Sequence, residues 1–207
     1  MSNKGTILAL AISVAAILCS VGLVFHLQSS MQPLDTGFHY QPPRNLRTFE
    51  LESSHGIPVS NEDFAGHWTL VFFGYTFCPD VCPITTAQLA RLLQDLDKEG
   101  ITKKDIEVWF VSVDPERDSP DVIKSYTQHF HPEIKGMTGE PAQLQSFANQ
   151  LGVVYLRNEQ EDGDYSVDHT SSIALVNPRG QYEVLFRPED KHQYPLDKML
   201  ADIKRLL

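Results

Sequence analysis

Residues 68–83 read WTLVFFGYTFCPDVCP, and this stretch decides the fold. Trp68–Tyr75 is an almost unbroken apolar run, the pattern of a strand covered on both faces. Polar and turn-forming residues follow. Pro79 to Lys98 then repeats apolar residues at helical spacing, with Leu89, Leu92, Leu93 and Leu96 on one side. A buried strand feeding a helix is half of a βαβ unit. Ile106–Val113 (IEVWFVSV) completes that unit as a second buried strand, which predicts a parallel pair with the helix packed on the sheet.

Working outward, Ser119 to Phe130 is a helix with Ser119 as N-cap and Pro120 at its first position. Ala142 to Leu151 is a further helix. Val153–Leu156, Ser171–Val176 and Tyr182–Phe186 are strands, the last two joined by the turn sequence Asn177-Pro178-Arg179-Gly180. Leu196 to Leu206 is amphipathic and closes the chain. Upstream, Leu46–Leu51 and Ile57–Val59 flank Ser53-Ser54-His55-Gly56 as a hairpin. The order is hairpin, β, α, β, α, α, β, β, β, α. It predicts an α/β, thioredoxin-like fold: a mixed sheet flanked by helices, with an added N-terminal β-hairpin, over residues 46–207.

The chain has 207 residues, 42% of them hydrophobic and 21% charged, so it affords one core of normal size plus an appendage. The net charge is −10 and no basic stripe is present, which argues against nucleic acid as a partner. Gly5 to Leu34 contains no Asp, Glu, Lys or Arg, and Thr6–Leu27 is almost wholly apolar. About 20 such residues span a bilayer core. A cleaved signal peptide would need a shorter apolar run and a small-x-small site, and Ser29-Ser30-Met31 is a poor one. Cys19 follows Leu18 and has more apolar chain after it, unlike a lipoprotein cysteine. The expectation is a short cytoplasmic tail (1–5), a single uncleaved anchor (6–27), a proline-bearing tether (28–45) and an exported domain.

Beyond Cys19 the chain carries only Cys78 and Cys82, at the end of the first buried strand. Strand ends that feed helix N-termini are where open α/β sheets place ligands, and the helix dipole there favours thiolate. If both cysteines are helical, i and i+4 lie about 5–6 Å apart at Cβ. A disulfide wants roughly 3.5–4.5 Å. The spacing therefore leans towards a shared metal ion rather than dithiol exchange, and two thiolates select soft metals such as Cu(I) or Zn. Structural zinc asks for four protein ligands, and no further cysteine is on offer. Two sulfurs and one nitrogen suit Cu(I).

The nitrogen has several candidates: His55, His67, His129, His131, His169 and His192. His169 is placed in a loop before the strand Ser171–Val176, facing the active helix, with Asp168 available to orient its ring. The residues alone leave His169 open between a ligand and a hydrogen-bonded structural histidine. His129 and His131 close a helix and are read as structural. Glu159 to Asp164 resembles a calcium loop only faintly and is read as an exposed hairpin turn. Asp114 to Asp118 is read as a rim loop with a capping role.

Taken together these residues resemble the Sco/SenC family. The resemblance rests on Phe73 to Pro83, Val113-Asp114-Pro115-Glu116-Arg117-Asp118, Met137-Thr138-Gly139, and Asp168-His169 followed by Asn177-Pro178-Arg179-Gly180, in that order. Met137 stands where the family commonly has leucine, and Ser171-Ser172 where apolar residues are frequent. The resemblance implies a thioredoxin fold with an inserted hairpin and one N-terminal anchor. It implies one copper, as Cu(I) or Cu(II), on Cys78, Cys82 and His169, with Asp80 and Asp168 beside the ligands and a redox disulfide available to Cys78 and Cys82. The expected role is copper delivery to the CuA centre of cytochrome c oxidase subunit II, or reduction of that centre's cysteines, a chaperone rather than an enzyme. No Arg-rich transit peptide precedes the apolar run, so a bacterial inner membrane with the domain in the periplasm is expected. A thiol–disulfide oxidoreductase is disfavoured because no proline occurs between Pro141 and Pro178, where such reductases carry a cis-proline. Peroxide reduction lacks an arginine adjacent in sequence. A copper or redox sensor is left open.

Overall fold

A computed structural model describes residues 7, 12–22, 33–160, 164–190 and 192–207. The chain separates into two units, Met1–Leu34 and Asp35–Leu207. In the first, residues 12–22 are helical and exposed. Most of the remainder of the anchor expected over 6–27 lies outside the described residues. Among the described residues no helix is long and apolar enough to cross a membrane.

The second unit is built on Trp68–Gly74 (β4), in which every residue is buried. It pairs in parallel with Ile106–Ser112 (β5), which pairs in parallel with Ile134–Thr138 (β6). On its other side β4 runs antiparallel to Ile173–Val176 (β9), which pairs with Gln181–Phe186 (β10). Leu51–Ser53 (β2) joins β6 and carries Pro58–Val59 (β3) as a short hairpin. The strand order is β1-β10-β9-β4-β5-β6-β2-β3, with Gly37–Asn45 as β1. The fold is thioredoxin-like with an added hairpin, as the sequence predicts. The first arm of that hairpin begins at Leu51 rather than Leu46.

Four helices follow in chain order: Val81–Lys98 (α1), Pro120–Phe130 (α2), Pro141–Gln150 (α3) and Leu196–Leu206 (α4). Strand alternation sends Phe73 and Trp109 to one face and Phe72, Gly74 and Phe110 to the other. On the first face Phe73 meets Phe147 of α3, and Trp109 stacks on Phe64 at 4.7 Å between ring centroids. On the second, Phe110 meets Tyr126 of α2, and Gly74 lies against Cys82 of α1. Leu89, Leu92, Leu93 and Leu96 are all buried, as their spacing requires.

Part of the tether expected over 28–45 is a strand instead. Residues 37–45 form β1, an edge strand antiparallel to β10. Pro42 and Pro43 hid it in the sequence, yet an edge strand tolerates proline because its outer N–H groups need no partner. The carboxylate of Asp202 in α4 fixes the strand's start, accepting from the Asp35 amide at 2.8 Å and from the Thr36 amide at 2.9 Å.

Two further strands lie where none was expected. β6 contains Lys135-Gly136, which interrupts its apolar run. Gly136 is there because α2 sits close: a Cβ would come within 2.3 Å of Ile123 Cγ2. Tyr165–His169 (β8) pairs with Tyr155–Glu159 (β7) as a separate two-stranded sheet. The strand expected at Val153–Leu156 therefore starts two residues later, and the one expected at Ser171 starts at Ile173. Glu159 faces Tyr165 across the hairpin, so the chain reverses between them; residues 161–163 of the turn expected there lie outside the described residues.

Candidate metal centre

At the end of β4 the chain runs through Tyr75 to Asp80 before α1 begins, with Asp80 as N-cap. The Asp80 side chain makes no capping bond and is exposed. Cys78 caps the helix in its place, since the backbone N–H of Cys82, in the first turn, donates to Cys78 Sγ at 3.4 Å. Such N–H groups have no partner within the helix, so a sulfur there is held by an open donor and by the positive end of the helix dipole. Cys78 therefore lies outside the helix. The expectation that an i, i+4 helical spacing bars a disulfide loses its premise, although both thiols are free in the structure.

Cys82 is fully buried under Gly74. A Cβ at Gly74 would stand 3.0 Å from Cys82 Sγ and 3.0 Å from Phe110 Cε2, so the bare backbone of β4 makes the room for this sulfur. The two thiols divide one proton unequally. The hydrogen bond from Cys82 is the main cause that holds the Cys78 thiol down at about 3, against the cost of its burial. The His169 imidazole and the backbone N–H groups of Asp80 and Cys82 add to the effect. Burial pushes the Cys82 thiol up, and the neighbouring Cys78 sulfur pushes it further.

His169 is the last residue of β8, not part of a loop. Tyr165, Val167 and His169 share one face of the hairpin, the face turned inward, where Val167 is buried. His169 Nε2 lies 3.1 Å from Cys82 Sγ. Its Nδ1 lies 3.3 Å from the Thr170 carbonyl oxygen, which can only accept, so Nδ1 carries a hydrogen there, and Nε2 is the ring nitrogen that faces the sulfurs. Phe72 and Tyr75 meet the imidazole edge-on at 6.0 and 6.2 Å.

Asp168 does not orient this ring. Adjacent residues of a strand point to opposite faces, and Asp168 points outward, where its carboxylate accepts from Asn158 Nδ2 at 2.6 Å. Asp80 likewise contributes its backbone N–H to the Cys78 sulfur, not its carboxylate. Tyr194 holds the other end of the His169 segment, its hydroxyl donating to the Ser171 carbonyl. His129 and His131 take no part: His131 caps α2, and its Nδ1 accepts from the Glu133 amide.

The ligand atoms of Cys78, Cys82 and His169 all lie within 4.8 Å of one another, the one such group of three among the described residues. Metal bonds of about 2.0–2.3 Å hold two donors up to roughly 4.6 Å apart. Around one three-coordinate ion such bonds place the donors about 3.7–4.0 Å apart, so the trio needs to contract by no more than about 1 Å, and its donor set of two sulfurs and one nitrogen fits copper.

With this geometry in view, a family model described as SCO1/SenC matches residues 39–207. The chain belongs to the SCO1/SenC family. It is 37% identical over 131 residues to the mitochondrial protein SCO1 homolog 1 of Arabidopsis thaliana, covering 63% of this chain and 38% of that one. The chain spans less than two thirds of the length of the first curated relatives it matches. Among solved structures, Arabidopsis thaliana ScoI with copper bound superposes with a TM-score of 0.69 at 31% identity, covering 77% of this chain and 98% of that chain. BsSco, described with a disulfide switch and as a member of the Sco family of cytochrome c oxidase assembly proteins, gives 0.65 at 26% identity, covering 84% and 96%.

Proposed function

We propose that this chain is a copper metallochaperone that holds one copper ion on Cys78, Cys82 and His169 and delivers it during assembly of the CuA centre of cytochrome c oxidase, with subunit II as client. The observation that carries this reading is the convergence of the two sulfurs and His169 Nε2 at the open end of β4. One donor sulfur is already ionised, and the second gives up its proton when a metal takes its lone pair. Copper supplies the delivered charge. The chain supplies a soft pair that suffices for Cu(I) and a nitrogen that adds preference for Cu(II). We further propose that Thr6–Leu27 anchors the chain in a bacterial inner membrane with the domain in the periplasm, a reading supported by the uncharged run from Gly5 to Leu34.

A second reading has an observation of its own. An ionised Cys78 outside the helix beside a buried, protonated Cys82 is also the arrangement of an attacking and a resolving thiol. Metal analysis of the full chain after reconstitution with Cu(I), and separately Cu(II), distinguishes the two. One copper per chain is expected, with a thiolate-to-copper charge-transfer band lost in Cys78→Ala and in Cys82→Ala. His169→Ala is expected to weaken Cu(II) by about tenfold or more and Cu(I) far less. Asp168→Asn should change neither. No retained copper, together with a readily formed Cys78–Cys82 disulfide, would turn the assignment to the oxidoreductase.

A further inference from the structure

The hairpin that carries His169 belongs to no larger sheet. β7 and β8 pair only with each other, so the main ladder does not fix where His169 stands. Tyr75 reaches the Val167 backbone and Tyr194 the Ser171 carbonyl, and the largest set of polar contacts comes from one short loop, residues 114–118, between β5 and α2. Asp114, itself buried, accepts from the Tyr165 hydroxyl at 2.7 Å and from Arg117 Nε at 2.6 Å. Arg117 Nη1 donates to the Tyr165 carbonyl at 2.9 Å, and the guanidinium lies 3.6 Å from the Tyr165 ring centroid. Tyr165 stands on the same strand face as His169. From the same loop, buried Asp118 reaches the opposite way and accepts from the Thr76 amide at 2.8 Å, two residues before Cys78.

One loop therefore grips both arms of the site. Asp118 holds the cysteine turn; Asp114 and Arg117 hold the histidine hairpin. We propose that Arg117, through Asp114 and Tyr165, is the positioning residue that sets the distance between His169 and the cysteine pair, and thereby the preference of the site for Cu(II) over Cu(I). It touches neither the sulfurs nor the imidazole. The inference rests on the copper reading above. It also makes a claim about the copper-free protein: the hairpin face bearing His169 is held by this contact and loosens without it.

The test compares the full chain with Arg117→Gln, Tyr165→Phe, His169→Ala and the double variant Arg117→Gln/His169→Ala. Tyr165→Phe keeps the ring beneath Arg117 and removes only the hydroxyl, which guards against a variant that fails to fold. Arg117→Gln is expected to weaken Cu(II) about tenfold, as loss of a group supporting a metal ligand does, and to leave Cu(I) within about twofold. The copper midpoint potential then rises by about 59 mV, the one-electron equivalent of a tenfold change. In the His169→Ala background the same substitution should have no further effect, because the two act through one another. In the copper-free protein, amide exchange at Val167 and His169 should quicken in Arg117→Gln and in Tyr165→Phe. Cu(I) and Cu(II) weakening together would overturn the proposal. So would an undiminished effect in the His169→Ala background, or unchanged amide exchange. Should the parent chain retain no copper, the copper reading fails, and the exchange measurement still decides whether Arg117 holds the hairpin.

Discussion

A sulfur placed against the free amide of a first helical turn is a different chemical object from one buried four positions later. Cys78 has the amide, the helix dipole and a thiol donor around it; Cys82 has the apolar underside of β4. The Cys78 thiol is held at about 3, far below the usual thiol value of about 8.5, so its anion is favoured above that pH. Lowering the pH from neutral to mildly acid should leave one thiolate per copper-free chain, visible as ultraviolet absorbance and missing in Cys78→Ser. Absorbance that grows in only as the pH rises through the ordinary thiol range would show that the proton is not divided in this way. Gly74 belongs to the same scale. A methyl group there meets Cys82 Sγ and Phe110 within van der Waals contact. Gly74→Ala is therefore expected to cost about 1–3 kcal/mol in stability and to weaken copper retention together. Thermal melting and metal analysis of one preparation read both. The asymmetry of the cysteines is not legible in the sequence, because it depends on Cys78 lying before the helix rather than inside it.

At the scale of elements, the central strands and four helices can be read from periodicity because each buries its own apolar residues. Elements held by borrowed contacts cannot. β8 has only Val167 buried, pairs with β7, and takes contacts from Tyr75 and from Arg117. β1 shows no pattern that outweighs its two prolines and is secured from outside by Asp202, 166 positions away from Thr36. Asp202 is wholly inaccessible. Burial pushes its carboxyl up, but the Asp35 and Thr36 donors and Arg205 outweigh it and hold the group below the ordinary carboxylate range. A carboxyl depressed on folding stabilises above its unfolded value, and that contribution is lost as the pH falls through the folded one. Asp202→Asn should accordingly lower stability by about 2–3 kcal/mol near neutral pH and flatten the acid side of the stability profile. Denaturant unfolding at a series of pH values measures both. An acid limb as steep as that of the parent chain would mean that β1 is held some other way. Strand geometry also explains why Asp168 does not serve His169 as the sequence suggests: neighbours in sequence are the wrong partners once the segment is a strand.

At the scale of the whole molecule, strand register puts the chain's entry into the sheet at the same end as the metal centre. Gly37 lies opposite Phe186, Phe186 opposite Ile173, and Ile173 opposite Phe72, two residues from the end of β4. Three inter-strand steps of about 4.8 Å separate β1 from β4, roughly 14 Å in all. The chain therefore need not cross the domain to reach the level of the centre. Under the anchored reading the apolar run ends at Leu27, and the clamp on Asp35 begins eight residues later. Eight residues extend to at most about 29 Å. Full-length chain loaded with Cu(II) in vesicles should therefore broaden or quench probes attached to lipid headgroups. Inserting about twenty Gly and Ser residues between Pro33 and Leu34 adds roughly 25 Å of mean reach and should weaken that effect. It should also slow delivery to a membrane-bound acceptor while leaving delivery to a soluble one unchanged. Equal delivery by both tether lengths would show that the position of the entry strand carries no functional consequence.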